Sequence, residues 1–329
     1  MLLTQKYHSA KDIDPEFIPS LEELLSECVP SFNWLKNFEE SAPENTHFAY
    51  YLFFGTHHNS PVGFAQVALE SEKKGSNILS KFFKSKSQSL SIKKAYWKMP
   101  GSLNEGIVFQ PMYIKDATSK TKGIFKEYLE RKDIETQSMC FSKALHELEE
   151  LKNESKASLI EKVIPGTLIK TANSYENYLS TLEDGLQTQI KKMWRSFYKD
   201  EMKLGEYASL KEVFSYRKGS NDIYKKLKSD WIFKQYKSEQ CLHLTVEKNN
   251  SVLAIIFFIK GHSGHYFFDI FCIDKSVDEL MLCQLTIMKF YELEDSSRLH
   301  LMNRSDSISL YQSLGFSLHS QIHMNVHSR

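Results

Sequence analysis

Between Cys241 and Ile273 the chain places three β-forming runs almost end to end. Cys241 to Glu247, Val252 to Lys260 and His265 to Ile273 are rich in branched and aromatic residues, which suit a pleated, half-buried surface. Only Asn249-Asn250 and Gly261-His-Ser-Gly264 separate them, and these residue types accept tight reversals. The stretch predicts an antiparallel meander. Its middle run, Val252 to Ile259, is apolar throughout. A bilayer crossing takes about 20 such residues, so this shorter run reads as a buried strand and no integral membrane contact is expected.

The elements around the meander repeat. In the second half, helices are predicted over Tyr175–Leu182, Gln187–Lys203 and Asn221–Lys237. After the meander come a helix over Ser276–Leu293, a strand over Arg298–Met302, a short helix over Ser305–Leu314 and a last strand over Phe316–Val326. The first half has the same order. Two short helices fall within 15–40, with Pro15 and Pro30 near their starts, where a missing N–H costs nothing. A hairpin follows, His47–Gly55 and Pro61–Leu69 joined through His57-His58-Asn59-Ser60. Then come a strand over Gly106–Ile114, a polar lysine-rich stretch to about 135, a helix over Ser138–Asn153 and a strand over Leu159–Ile164. The fold class is therefore α/β (α+β), with two units, 1–172 and 173–329. Each is expected to be a mixed, mostly antiparallel sheet flanked by helices. A length of 329 residues suits two domains.

Bulk properties narrow the function. The formal net charge is +1, so no whole-protein field points to nucleic acid or membrane. The five cysteines, Cys28, Cys140, Cys241, Cys272 and Cys283, are odd in number, widely spaced and without a CxxC pair. A disulfide framework or structural zinc is not expected, and a reducing, cytoplasmic setting fits better. The opening Met1-Leu-Leu-Thr-Gln-Lys-Tyr-His lacks an apolar core, so no signal peptide is expected. His262 and His265 flank a turn, but no third ligand is evident, so no metal is expected. Locally, 73–104 carries lysines and no acid, with Phe82, Phe83, Tyr96 and Trp97 interleaved. Such a basic insertion could stack and pair with single-stranded nucleic acid or an anionic surface, or simply be solvated.

Leu310-Tyr-Gln-Ser-Leu-Gly-Phe316 resembles the closing motif of GNAT superfamily N-acyltransferases, a short helix ending near Tyr and a Leu-Gly-Phe turn into the final strand. Locally, Gly315 can stop the helix with positive φ, and Asn303-Arg304-Ser305 offers an N-cap. Thr171-Ala-Asn-Ser-Tyr-Glu-Asn-Tyr-Leu-Ser-Thr-Leu182, followed by the basic Gln189-Ile-Lys-Lys-Met-Trp-Arg195, is similar to Fem-type and related tandem-unit acyltransferases. The resemblance implies transfer of an acyl group onto a small or cell-envelope amine. The donor would be acetyl-CoA or another acyl-CoA, or an aminoacyl-tRNA, making tRNA a candidate partner.

The resemblance implies a site by Asp269 and Tyr311. Tyr311 stands where many members place a general acid. Asp269, a carboxylate inside an apolar strand, would serve as base. Cys272, Ile273 and Asn303 would line the donor in the second unit. Family members hold the pyrophosphate in a glycine-bearing loop at a helix start. Here the matching Asp274-Lys-Ser-Val-Asp-Glu279 has no glycine and reads as a capping box between Ser276 and Glu279. In the first unit Lys120, Lys122 and Gly123 fall in the segment after Ile114 that would face phosphates. Two rivals follow: a GNAT-fold binding protein that has lost its donor loop, and an adaptor acting through the lysine-rich insertion.

Overall fold

The computed structural model describes residues 2–71, 92–101, 103, 105–131, 133–151, 157–215, 241–274, 277–302 and 307–327, with Ile92, Lys93 and Cys272 described by backbone only. The first half contains β1 (Leu2–Tyr7), α1 (Ile18–Leu24), α2 (Phe32–Ser41), β2 (Thr46–Gly55), β3 (Pro61–Ser71), β4 (Ile92–Trp97), β5 (Ile107–Phe109), α3 (Ile114–Leu129), β6 (Thr136–Ser142), β7 (Ser158–Pro165) and β8 (Thr167–Ile169). The second half contains α4 (Tyr175–Thr181), α5 (Asp184–Lys199), β9 (Lys203–Tyr207), α6 (Leu210–Ser215), β10 (Cys241–Lys248), β11 (Ser251–Lys260), β12 (His265–Cys272), α7 (Glu279–Glu292), β13 (Arg298–Leu301), α8 (Ile308–Ser313) and β14 (Leu318–His327). The helix expected over Asn221–Lys237 and most of the lysine-rich insertion lie outside the described residues.

The meander is present as β10, β11 and β12, paired antiparallel in sequence order. Its first turn holds Asn249 and Asn250 at φ 49° and 60°, which asparagine tolerates better than most residues. α8 ends as the motif suggested, with Gly315 at φ 84°.

Strand order departs from a division at residue 172. The first sheet runs β1-β2-β3-β4-β6-β14-β7, with β5 pairing β3, and the second runs β8-β13-β12-β11-β10-β9. The chain's last strand thus sits inside the first sheet, antiparallel to both β6 and β7. In return β8, just before the expected boundary, pairs β13 in the second sheet. The crossing is stitched where Gly166 N–H donates to Ser317 O at 2.7 Å and Ser317 N–H donates to Thr167 O at 3.0 Å.

Two expected elements differ. Ser138–Asn153 is not one helix but the end of β6 followed by a 3-10 segment, Lys143–Glu150. Met139 and Phe141 alternate with Ser138 and Cys140 across the strand, a period-2 pattern hidden beneath the Leu145 and Leu148 spacing. The lysine-rich stretch after Ile114 is a helix, α3, which buries Ala117, Thr118, Thr121, Ile124, Phe125 and Tyr128. Small and hydroxylated residues carry half of that face, so the apolar period is weak in sequence. β1, β4, β8, β9 and α6 were not anticipated.

Three cores result. One lies between the second sheet and α4, α5 and α7, around Phe268, Phe290 and Tyr311. Another lies between the first sheet and α3, around Trp97, Phe125 and Phe141. The third joins the halves: Tyr50, Leu52 and Phe64 of the first sheet, Leu21 and Trp34 of α1 and α2, and Ile255, Phe257 and Phe267 of the second sheet share one cluster. β11 is therefore buried on two faces, as its apolar sequence requires.

Candidate functional site

Each sheet contains one parallel pair, β4 with β6 and β12 with β13. Such a junction has to part at one end, and the backbone groups exposed there need partners.

In the first sheet the ladder runs from Lys94↔Thr136 to Trp97↔Met139. The chain then leaves for residues 98–105 and returns at Gly106, whose N–H donates to Cys140 O at 2.9 Å while its carbonyl accepts from Gln66 N–H at 2.9 Å. Gly106 thus occupies the slot between β3 and β6 that β4 vacated. A Cβ on it would stand 2.1 Å from the Trp97 carbonyl carbon, so only glycine fits. The excursion packs on the core that joins the halves: Met99 is buried there, and Trp34 Nε1–H donates to Pro100 O at 2.7 Å.

Beside this junction a cleft of about 360 Å³ opens, lined by Tyr96, Lys98, Ser138, Cys140, His323 and Asn325, with Trp97 and Met139. Strand alternation explains the lining. On β6, Met139 and Phe141 face the α3 core, so Ser138 and Cys140 face the other way. On β14, Ile322, Met324 and Val326 face that core, so His319, Gln321, His323 and Asn325 share the opposite face. Register then places Cys140 across from His323 and Ser138 across from Asn325. Cys140 Sγ lies 3.7 Å from His323 Nε2 and 3.5 Å from Gln321 Oε1. Ser138 Oγ donates to Asn325 Oδ1 at 2.7 Å. Gln321 Nε2 donates to Leu103 O, which ties the excursion to β14. Glu105, buried, meets His319 Nε2 at 2.6 Å. Lys98 lies over the Tyr96 ring, and no carboxylate partners it among the described residues. Gln66, fully buried, leaves both its amide atoms without a partner among the described residues.

The second junction is closed differently. The ladder of β12 and β13 ends at Phe268↔Leu301, with Met302 N–H donating to Phe268 O at 2.7 Å. The start of α7 holds its own anions: Asp278 caps it, accepting from Leu280 N–H at 3.0 Å. Asp278, rather than the expected Ser276, is therefore the N-cap. Glu279 accepts from Ser307 Oγ at 2.6 Å and from Tyr311 Oη at 3.1 Å. Two carboxylates at a helix start repel a phosphate and neutralise the dipole that would bind one. The carboxylates at the start of α7 therefore oppose a pyrophosphate there.

The sequence-derived residues fall as follows. Asp269 and Tyr311 do not meet. On β12, Phe268 faces the α7 core that holds Tyr311, while Phe267 faces the core between the halves, and Asp269 shares the Phe267 side. The sheet separates the two. Asp269 is buried, and its carboxylate accepts from Ile270 N–H at 2.8 Å. Tyr311 is buried at 1% exposure, and burial together with Cys283 and Glu279 pushes its phenol far above the usual range. A phenol held that way keeps its proton. Ile273 spends its N–H on Leu253 O at 2.9 Å, inside the sheet. Asn303 and the Cys272 side chain lie outside the described residues. Lys120, Lys122 and Gly123 lie within α3, not in a loop, and Lys122 pairs with Glu150 at 2.6 Å. Their N–H groups are spent inside the helix, so they form no phosphate cradle.

His265 and His300, on adjacent strands, stack with ring centroids 5.0 Å apart where the halves meet. His265 Nδ1 lies 2.9 Å from Ser26 O, an acceptor, so this nitrogen carries the proton. His300 Nε2 lies 3.1 Å from it, and His300 Nδ1 lies 3.0 Å from Thr167 Oγ1. Both rings are held neutral, and burial lowers His300 to about 3. Among the described residues no three metal-ligating side chains gather, and no helix is long and apolar enough to cross a membrane.

Sequence reading missed Cys140, His323 and their neighbours. A signal was available: His319-x-Gln321-x-His323-x-Asn325 puts a polar residue at every second position of the last strand.

No protein-family model and no curated protein matches the chain. Solved structures do. A tandem GNAT protein from the clavulanic acid biosynthesis pathway, determined without AcCoA, is similar over 100% of this chain and 99% of its own, with TM-score 0.55 and 10% identity. The C-terminal domain of a proposed lysylphosphatidylglycerol synthetase from Agrobacterium fabrum is similar over 94% of this chain and 90% of its own, with TM-score 0.50 and 7% identity. With two mixed sheets, a parallel junction in each and helices on their faces, this chain has the tandem GNAT fold.

Proposed function

We propose that the chain is an acyltransferase that moves an acyl group from an activated donor to an amine, and that the groups meet in the cleft beside β4 and β6. The carrying observation is that cleft. It opens where a parallel pair parts and brings together an imidazole, a thiol, an ammonium and several hydrogen-bonding side chains. His323 can accept and return the proton that amide formation releases. Lys98 and Asn325 can face an oxygen that gains charge.

Two donors suit the reading, an acyl-CoA and an aminoacyl ester. The first accords with the similar tandem GNAT protein, whose structure is described as lacking AcCoA, and the second with the similar lysylphosphatidylglycerol synthetase domain. The closed start of α7 favours a different role for the second half, which completes the first sheet with β14 and does no chemistry itself. The adaptor reading rests on 73–104, of which only Lys94, Lys98 and a few neighbours fall among the described residues with side chains.

The test is a thermal-shift titration with acetyl-CoA and longer acyl-CoAs, followed by turnover with an amine panel. A ligand at 100 times its Kd adds about 2.7 kcal/mol of stability, which a melting curve resolves easily. Stabilisation and amide product are expected. No shift and no product with acyl-CoA or aminoacyl-tRNA would leave the non-catalytic binding protein.

A further inference from the structure

Cys140 lines the cleft beside β4 and β6 and faces an imidazole. Cys28 and Cys283 lie in apolar cores, where burial pushes their thiols up, Cys283 to about 12. Such thiols are inert. Cys140 differs in its neighbours. His323 Nε2 is 3.7 Å from its sulfur, within range of an S–H···N contact, and Gln321 Oε1 at 3.5 Å is a second acceptor. Gln321 is itself anchored through its amide to Leu103 O. Asn325, whose Oδ1 is held by Ser138 Oγ, keeps its N–H groups without a partner among the described residues. The register Cys140↔His323 fixes this constellation in a paired, central strand, and rigid elements hold reacting groups more closely than loops do.

We propose that Cys140 is a covalent acyl carrier, with His323 as its base and Asn325 and Lys98 facing the carbonyl oxygen. The proposal rests on the acyltransferase reading and adds to it an acyl-enzyme intermediate. In the first step His323 Nε2 takes the thiol proton, and the thiolate attacks the carbonyl carbon of an acyl thioester. A C–S bond forms to Cys140 as the donor's C–S bond breaks, and the departing thiolate takes the proton from His323. In the second step an amine attacks the Cys140 thioester. His323 takes the amine proton, the C–S bond to Cys140 breaks, and the Cys140 thiolate recovers the proton. No electron leaves or enters, so no oxidant or reductant is needed. The order of events is two half-reactions, as for other activated nucleophiles.

The experiment has two arms on the full chain. In the first, iodoacetamide labelling is followed by peptide mass spectrometry across pH. Cys140 is expected to react about 10-fold faster than Cys28 and Cys283, and His323→Gln to slow it by about 10-fold. Equal labelling of all three, or a rate unmoved by His323→Gln, overturns the pair whatever the donor. In the second, the protein is mixed with acetyl-CoA or with S-phenyl thioacetate, quenched in acid and weighed intact. One acetyl group on Cys140, absent in Cys140→Ser, is expected. Full turnover in Cys140→Ala would overturn the carrier while leaving the acyltransferase reading intact. Acetylation of Cys140 by the phenyl thioester but not by acetyl-CoA supports the carrier and sinks only the CoA donor. No adduct from either thioester overturns the carrier. His323→Asn, with its melting temperature checked against wild type, separates loss of the base from loss of fold.

Discussion

The two parallel junctions of this molecule begin alike and end differently. In the first sheet, main chain fills the gap: residues 98–105 swing out, and Gly106 returns to bond Cys140 and Gln66. In the second, side chains dominate, with Asp278 and Glu279 gathered at the start of α7 under Ser307 and Tyr311. The first solution leaves a cleft with an imidazole and a thiol on its wall. The second leaves a buried carboxylate network in which a tyrosine keeps its proton. One fold therefore carries one junction that opens into a cleft and one that closes on packed side chains. What separates them is a single glycine on one side and two acids on the other.

That contrast can be broken most severely at β14. If the halves truly exchange strands, residues 1–172 expressed alone lack the central partner of both β6 and β7. The expected result is a fragment without a cooperative melt by circular dichroism. A fragment that melts sharply would show the exchange to be dispensable. The next largest effect is expected at Gly106→Val. Its side chain would meet the Trp97 backbone, and overpacking of this kind costs about 3 kcal/mol. Urea unfolding should register that loss, and labelling of Cys140 should change with it. Unchanged stability would mean that the Trp97 backbone shifts to admit the side chain.

A pH effect of intermediate size is expected where the halves meet. His300 is lowered from 6.5 to about 3, first by burial, then by His265 and Arg298. A depressed histidine is neutral in the folded chain while the unfolded chain takes up a proton. Its contribution is thus fully present above pH 6.5 and declines as pH falls toward 3. Melting temperature followed over that window should drop, and His300→Gln should flatten the slope. A profile that keeps its slope in the variant would place the titration elsewhere.

The smallest effects are expected in the second junction. Tyr311→Phe removes a donor to Glu279, a loss of about 1–3 kcal/mol in stability. Turnover should stay within about twofold, because general acid–base groups contribute about 100-fold or more when they act. Asp269→Asn should likewise leave turnover near wild type. A drop of about 100-fold in either would move the reaction to the second half and reverse the comparison.

Much of the fold was legible from residue order. The meander of β10 to β12 followed from branched and aromatic runs broken by Asn249-Asn250 and by Gly261 to Gly264. Gly315 marked the end of α8 because few other residues adopt its φ of 84°. α3 was missed because Thr118 and Thr121, polar in composition, sit on its buried face. β6 was missed because Leu145 and Leu148 extend a helical spacing past its end. The expected meeting of Asp269 with Tyr311 failed for a related reason. An acid in an apolar strand and a tyrosine in a family motif are visible one at a time, but the side of the sheet each occupies is set by register.

By itself the sequence determined the β10–β12 meander with its turns, the end of α8 at Gly315 and the lack of glycine in the segment before α7, because each depends on residues within a few positions of one another. Only the tertiary structure decided that the last strand lies between β6 and β7, and hence that Cys140 meets His323 across 183 positions of chain. Strand partners are chosen by which faces bury together over the whole molecule, and a shift of β14 by one residue would send His323 to the face opposite Cys140.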